Sequence, residues 1–203
     1  TFYICKGLKM IMDWTGEILE LLISGKIKTQ EQLHRVKIKL CKKHGLDRVP
    51  KISEILAAVP KEHYERVEKL LRIKPVRSLS GVAVIAAMTS PYPCPHGKCF
   101  YCPGGVEYNT PQSYVGYEPA ALRARHNDFD PYRQVSSRLG QLRAIGHPTD
   151  KIDLIIMGGT FTSRPEEYRE WFVKRCFDAL NNNSAESLEE AHATNETADA
   201  RCT

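Results

Sequence analysis

GVAVIAAM at Gly81–Met88, followed by a loop containing PYPCPHGKCFYCPGG at residues 91–105, decides how this chain is read. The first string is an unbroken apolar run of strand length, the pattern of a parallel strand buried on both faces. The second string holds Cys94, Cys99 and Cys102 at a spacing of C-x4-C-x2-C. Three thiolates on one loop can hold three irons of a 4Fe-4S cube and leave the fourth iron open to a substrate. Gly97, Gly104 and Gly105 give the loop the backbone freedom to wrap a bulky group. Zinc is the rival: Cys99-x2-Cys102 is half of a common zinc knuckle, and Cys94 with His96 could complete four ligands. Zinc sites usually pair two such turns, and the sequence holds no second C-x2-C.

Downstream, Pro119–His126 reads as a short helix and residues 131–145 as a longer one, with Tyr132, Val135, Leu139, Leu142 and Ile145 on one stripe. Ile152–Met157 (IDLIIM) reads as a second buried strand, ending in Gly158-Gly159-Thr160. Two glycines at the C-terminal end of a strand allow a ligand close to the backbone, and barrel active sites lie at that end. They also fit a plain tight turn. Pro165 suits a helix N1 position, with Glu166 and Glu167 next to it, and that helix runs to about Leu180. A helix over 186–197 follows, and ADARCT begins a third strand. Strand, long loop, helix, strand, helix, strand is the opening of a β/α barrel. Residues 76–203 fall short of the roughly 200 residues such a barrel needs. The expectation is therefore an incomplete barrel with an exposed sheet edge.

Upstream, residues 1–75 read as short helices. Residues 16–24 form one, and Thr29 with Gln32 makes a capping box for the next. Leu33, Val36 and Leu40 form the apolar stripe of that second helix, and Gly45 is placed to end it. Ser53 opens a third helix, which Pro60 stops, and residues 61–72 form a fourth. The fold class expected is α/β: a small, basic all-helical domain at 1–75, then the first β/α units at 76–203.

Charge separates the two parts. Residues 1–75 carry 16 Lys+Arg and 9 Asp+Glu, a net +7, whereas 76–203 are at −2. The densest run, Arg35 to Lys51, includes Lys37, Lys39, Lys42, Lys43 and Arg48. Arg35, Lys39, Lys42 and Lys43 fall on polar positions of the second helix, which suits either a polyanion such as RNA or a solvated helix face. No apolar run approaches the ~18 residues of a membrane span. No secretory leader is visible, and seven cysteines, an odd number, argue against a disulfide framework. A cytoplasmic, membrane-free setting is expected. Cys5, Cys41, Cys176 and Cys202 stand alone and read as core or incidental residues.

The cysteine loop and the Gly-Gly motif together resemble the radical S-adenosylmethionine superfamily. Three longer strings, CPHGKCFYCPGG, TPQSYVGYEPAALRARHNDFDPY and IIMGGTFTSRPEEYREWF, are similar to the Elongator catalytic-subunit family in its archaeal form. The resemblance runs from about residue 12 to the end and does not extend to residues 1–9, ahead of Met10. It implies a tRNA carboxymethyluridine synthase. In that family a reduced cluster cleaves S-adenosylmethionine, the resulting radical takes a hydrogen from acetyl-CoA, and the carbon radical attacks C5 of the wobble uridine. By the resemblance, Cys94, Cys99 and Cys102 are cluster ligands. Gly158, Gly159 and Thr160 match the S-adenosylmethionine motif, although many superfamily members carry Glu where Thr160 stands. Tyr101 is placed to stack on an adenine, Lys151 matches an acetyl-CoA contact, and the N-terminal helices match a tRNA-binding region for the anticodon arm. Tyr108, Tyr114 and Tyr117 either stack with bases or pack the loop down. The family's acetyltransferase-like domain is not among these residues, so the chain by itself is expected to be inactive. Two assemblies stay open, a homodimer and a complex with Elongator-like subunits. Two other functions compete: another radical S-adenosylmethionine RNA modifier such as a methylthiotransferase, and a zinc-stabilised RNA-binding module without catalysis.

Overall fold

Among the described residues, four short helices carry the N-terminal part. The computed structural model describes residues 14–203; Cys5 and the segment ahead of Met10 lie outside the described residues. Helix α1 covers residues 14–23, α2 is Gln30–Lys43, α3 is Ile52–Ala58 and α4 is Tyr64–Leu71. At the start of α2 the Thr29 hydroxyl accepts from the Gln32 N–H at 3.2 Å, as expected of an N-cap. The Gln32 side chain reaches back one residue further than a standard box, to the Lys28 N–H at 2.8 Å. Lys51, not Ser53, stands ahead of α3: its N–H donates to the Glu54 carboxylate at 2.9 Å, leaving Ser53 inside the helix. The expected fourth helix is a 3₁₀ turn, Lys61–His63, running into α4.

Ile18, Leu22, Leu33, Ile55, Val67 and Leu71 form the core of this unit. Lys37 is buried beside that core on α2, and burial pushes its ammonium pKa down. It therefore does not belong to the basic surface. Gln30 donates to the carbonyls of Leu70 and Arg72 at 3.3 and 2.9 Å, satisfying acceptors that the end of α4 leaves open. Residues Arg143–His147 complete the same unit. The Ile73 N–H donates to the Ile145 carbonyl at 3.1 Å, and Arg72 Nε donates to the Gly146 carbonyl at 2.8 Å.

The second unit comprises Arg77–Leu142 and Pro148–Thr203. Its strands are β1 (Ala83–Met88), β2 (Lys151–Met157) and β3 (Arg201–Cys202), parallel and in that order. Helices α5 (Pro119–His126) and α6 (Pro131–Ala144) separate β1 from β2. Helices α7 (Glu166–Asn181) and α8 (Leu188–Asn195) separate β2 from β3. The fold is α/β, a helical unit followed by β/α units. Pro165 is the residue ahead of α7 rather than its first, and Ser187 caps α8 by accepting from the Glu190 N–H at 3.1 Å.

One face of the sheet is dry. Ala83, Ile85 and Ala87 pack with Ile152, with Val135 and Leu139 of α6, and with Phe172 and Cys176 of α7. The other face departs from the expectation of strands buried on both sides: Val84 is 47% and Ile155 42% exposed. Helix α5 covers that face only near the end of β1, where Met88 meets Ala121 and Ala124. An apolar run shows that a strand suits burial but not how much of each face its neighbours reach.

Candidate functional site

Parallel pairing puts the C-terminal ends of β1 and β2 side by side, with Met88 opposite Met157. The pairing runs one residue further, since the Thr89 N–H donates to the Met157 carbonyl at 2.8 Å. Thr89 Oγ1 then donates to the Gly158 carbonyl at 3.3 Å. Gly158 adopts φ +114°, and a Cβ there would stand 2.5 Å from Thr89 Oγ1, so both the backbone angle and the space exclude a side chain. The two loops leaving these strand ends meet where Cys94 Sγ lies 3.6 Å from Thr160 Oγ1. Ser90, Cys94, Pro111, Gly158, Gly159 and Thr160 line the narrow cleft between them. A larger cavity of about 880 Å³, lined by Trp14, Leu19 and Pro50, lies in the helical unit and carries none of the candidate residues.

The cysteine loop is held by buried polar side chains. The Cys94 N–H donates to Gln112 Oε1 at 2.6 Å. Thr110 Oγ1 accepts from the Gly105 N–H at 3.1 Å and donates to the Tyr114 carbonyl at 3.2 Å. Gly104 is enclosed by the same turn: a Cβ there would fall 1.8 Å from the Tyr114 oxygen. Glu118 ends the loop by accepting from the N–H groups of Val115 and Gly116 at 2.8 and 2.9 Å. These backbone hydrogen bonds, Val115 foremost, hold its carboxyl below the usual range. The sequence placed the string TPQSYVGYE in the cysteine loop and within the family resemblance. The specific roles of Thr110, Gln112 and Glu118 escaped it.

All three loop thiols are free of disulfides. Each has its own polar neighbour: Thr160 Oγ1 for Cys94, His96 Nε2 at 3.2 Å for Cys99, and the Ser113 N–H at 3.0 Å for Cys102. As placed, no three His, Cys, Asp or Glu side chains among the described residues are close enough to hold one metal ion. The donor chemistry nonetheless fits a thiolate-bound cluster. The sulfurs are unpaired, they sit on one loop, and their neighbours include N–H and O–H groups of the kind that stabilise negative sulfur. Gly97, at φ +81° between Cys94 and Cys99, gives the loop a point about which to close.

The structure brings Cys94, Gly158, Gly159 and Thr160 together; Cys99 and Cys102 share the loop. Tyr101 is exposed beside Phe100. Tyr108 and Tyr117 are also exposed, with Lys98 Nζ 5.3 Å from the Tyr108 ring centre, whereas Tyr114 packs against the Met88–Ala121–Ala124 cluster. Lys151 is not brought in: it is the exposed first residue of β2, at the opposite end of the strand from Gly158. That separation is roughly 20 Å at about 3.3 Å per residue. Arg35, Lys39, Lys42 and Lys43 are all exposed on α2. Arg35 pairs with Glu31, and Lys43 lies 2.7 Å from Glu17. The hydrogen bond from Lys43 holds the Glu17 carboxyl below its ordinary value. No ion pair involves Lys39 or Lys42 among the described residues.

Sequence reasoning also missed Gln134, Arg164 and Tyr168. Fully buried Gln134 accepts from the Met88 N–H and donates to the Met88 carbonyl, both at 2.9 Å, just ahead of the loop. Its only signal in the sequence is a polar residue next to the Val135 stripe. Among the described residues, no helix is long and apolar enough to cross a membrane.

Residues 11–79 match the model of the ELP3 N-terminal domain. A protein of Methanocaldococcus jannaschii described as a tRNA uridine(34) acetyltransferase is 47% identical over 206 residues, 95% of this chain and 38% of that protein. Elongator complex protein 3 of Drosophila melanogaster is 42% identical over 197 residues, 92% of this chain and 36% of that protein. A solved structure of Methanocaldococcus infernus Elp3 with an N-terminal deletion aligns with 60% of this chain and 21% of its own, at 44% identity and a TM-score of 0.43. The chain thus spans little more than a third of the length of the relatives it matches. With identity of this level across nearly its whole length, the chain belongs to the Elongator complex protein 3 family.

Proposed function

We propose that this chain supplies the cluster-binding and part of the tRNA-binding machinery of a radical S-adenosylmethionine transferase that modifies uridine 34 of tRNA. The observation that carries the reading is the meeting of Cys94 with Thr160 at the paired ends of β1 and β2, on a loop with two further free thiols. Cys94, Cys99 and Cys102 would hold a 4Fe-4S cluster. When bound, that cluster supplies one-electron reductive cleavage of S-adenosylmethionine. Gly158 and Gly159 leave the backbone open to a ligand, Thr160 offers a hydroxyl, and exposed Tyr101 offers an aromatic face. Residue carry-over from the family gives Lys151 an acetyl-CoA contact, with a carboxymethyl group at C5 of the uridine as the product. Lys151 would act at the other end of β2, apart from the cysteine loop. The exposed cations of α2, Arg35, Lys39, Lys42 and Lys43, would meet the anticodon arm of the tRNA, where single-stranded bases and phosphates suit a basic surface. The proposed setting is the cytoplasm, with the tRNA, acetyl-CoA, and either a second copy or Elongator-like subunits as partners.

A second reading has one contact in its favour: His96 lies against Cys99, as it would in a zinc knuckle. Anaerobic reconstitution separates the two. Iron and sulfide bound together with a brown chromophore, both lost in Cys99→Ser while tRNA binding persists, support the cluster. Stoichiometric zinc without iron establishes the knuckle instead, and loss of tRNA binding in Cys99→Ser makes the loop a structural element of the RNA site.

A further inference from the structure

Arg164 holds a buried charge with no acid beside it. The residue is 8% exposed, and none of the ion pairs among the described residues includes it. Its Nη1 donates to the Ser90 carbonyl at 3.1 Å, and its Nη2 donates to Ser90 Oγ at 2.9 Å. The guanidinium lies 3.7 Å from the ring centre of Tyr168 and 4.2 Å from that of Tyr92. Its Nε–H, also buried, finds no acceptor among the described residues. Tyr168 in turn accepts from the Ser90 N–H at 3.2 Å. Ser90 therefore has its N–H, carbonyl and hydroxyl all held by two side chains of the segment that follows β2.

This is a poor arrangement for stability alone. A desolvated guanidinium with one orphan N–H carries a penalty that an apolar side chain of similar length between the same two rings would avoid. What the arrangement provides is a fixed geometry. A planar fork can bind two oxygens while stacked on aromatic faces, and an apolar chain cannot. Ser90 stands four residues before Cys94, and Arg164 four residues after Thr160. The clasp thus joins the two loops that bring Cys94 Sγ to Thr160 Oγ1.

We infer that Arg164 is a positioning residue: with Tyr168 it fixes the Ser90–Cys94 segment against the Gly158–Thr160 turn, and so sets where the first cysteine of the triplet stands. The significance of that position rests on Cys94 as a cluster ligand, but the main test does not. Cysteine alkylation is measured on the native 203-residue chain by peptide mass spectrometry. Cys176 serves as the internal control, because it is buried in the core and burial pushes its thiol far above the usual range. Arg164→Met raises the rate at Cys94 roughly tenfold, the opening expected when two hydrogen bonds and a stacked cation are lost, with Cys176 still silent. Arg164→Lys, which keeps the charge but not the fork, falls between this variant and the wild type. Tyr168→Phe gives a rise of roughly twofold, as loss of one hydroxyl acceptor should. An unchanged Cys94 rate in Arg164→Met overturns the inference. If Arg164→Met also exposes Cys176, its fold has failed and Tyr168→Phe decides: a selective rise at Cys94 supports the clasp, and none overturns it. Iron uptake separates this inference from the functional reading. A wild type that takes no iron defeats that reading and leaves the clasp standing. A loosened Arg164→Met that binds iron as tightly as the wild type defeats the clasp as a positioning device.

Discussion

The helical unit and the cysteine loop solve the same problem in opposite ways. In the helices the backbone satisfies itself, and side chains such as Ile18, Ile55 and Leu71 serve to exclude water. In the loop, residues 89–118, regular structure is limited to one 3₁₀ turn, Val106–Tyr108. There, buried polar side chains take over the work of the backbone: Gln112 for Cys94, Thr110 for Gly105 and Tyr114, Arg164 for Ser90. The helices should therefore be most sensitive to lost volume, and the loop to lost hydrogen bonds.

Four substitutions or conditions test that contrast. The largest effect belongs to the core. Ile55→Ala, at a fully buried position, should lower stability in denaturant unfolding by about 2–5 kcal/mol. A loss below about 1 kcal/mol would show that the packing is far looser than described. The loop's counterpart is Gln112→Leu, which keeps volume and removes the acceptor of the Cys94 N–H. It should cost about 1–3 kcal/mol locally, seen as faster alkylation of Cys94 with a smaller shift of the unfolding midpoint than Ile55→Ala gives. An equal midpoint shift would erase the distinction between the two regions.

The surface of α2 gives a smaller effect. Lys39 and Lys42, free of described ion pairs, should contribute more to RNA affinity than Arg35 and Lys43, which already have carboxylate partners. Replacing Lys39 and Lys42 by Gln should flatten the dependence of log affinity on log salt by about 1.4, at roughly 0.7 per phosphate contact on a single strand. An identical change from Arg35→Gln with Lys43→Gln would mean that the intramolecular pairs do not compete with RNA. The smallest effect is acid sensitivity. The Arg48 hydrogen bond, ahead of opposing desolvation, lowers the Glu54 pKa from its ordinary 4.5. A lowered carboxyl contributes stability above 4.5 that is lost as pH falls through the folded-state value. For so exposed a pair this amounts to well under about 1 kcal/mol. Arg48→Gln should reduce that acid sensitivity in pH-dependent melting, leaving the share contributed by the Lys51 N–H.

The two regions also differed in how far they could be read from sequence. Thr29, Leu33, Leu40 and Gly45 follow helical spacing and capping rules that act within a few residues, so α2 was legible almost to its ends. The strand positions were legible for the same reason. Their burial was not: nothing in GVAVIAAM says that Val84 faces a side α5 does not reach. The cysteine spacing identified the loop, because ligands must be of a particular chemistry at a particular separation. Its supports stayed hidden, because Gln112, Gln134 and Arg164 read as solvated polar residues until the fold buries them. Lys37 shows the reverse case: it lies in the basic run but off the polar positions of α2, and the fold buries it against the core.

Whether the three cysteines hold a cluster with an open iron is decided by electron paramagnetic resonance of the anaerobically reconstituted, reduced chain, recorded with and without S-adenosylmethionine. Three cysteine ligands leave one iron open, so a cluster signal should appear whose shape changes when S-adenosylmethionine is added and which disappears in Cys94→Ser. A signal indifferent to S-adenosylmethionine, or a chain that binds zinc and gives no signal, would contradict it.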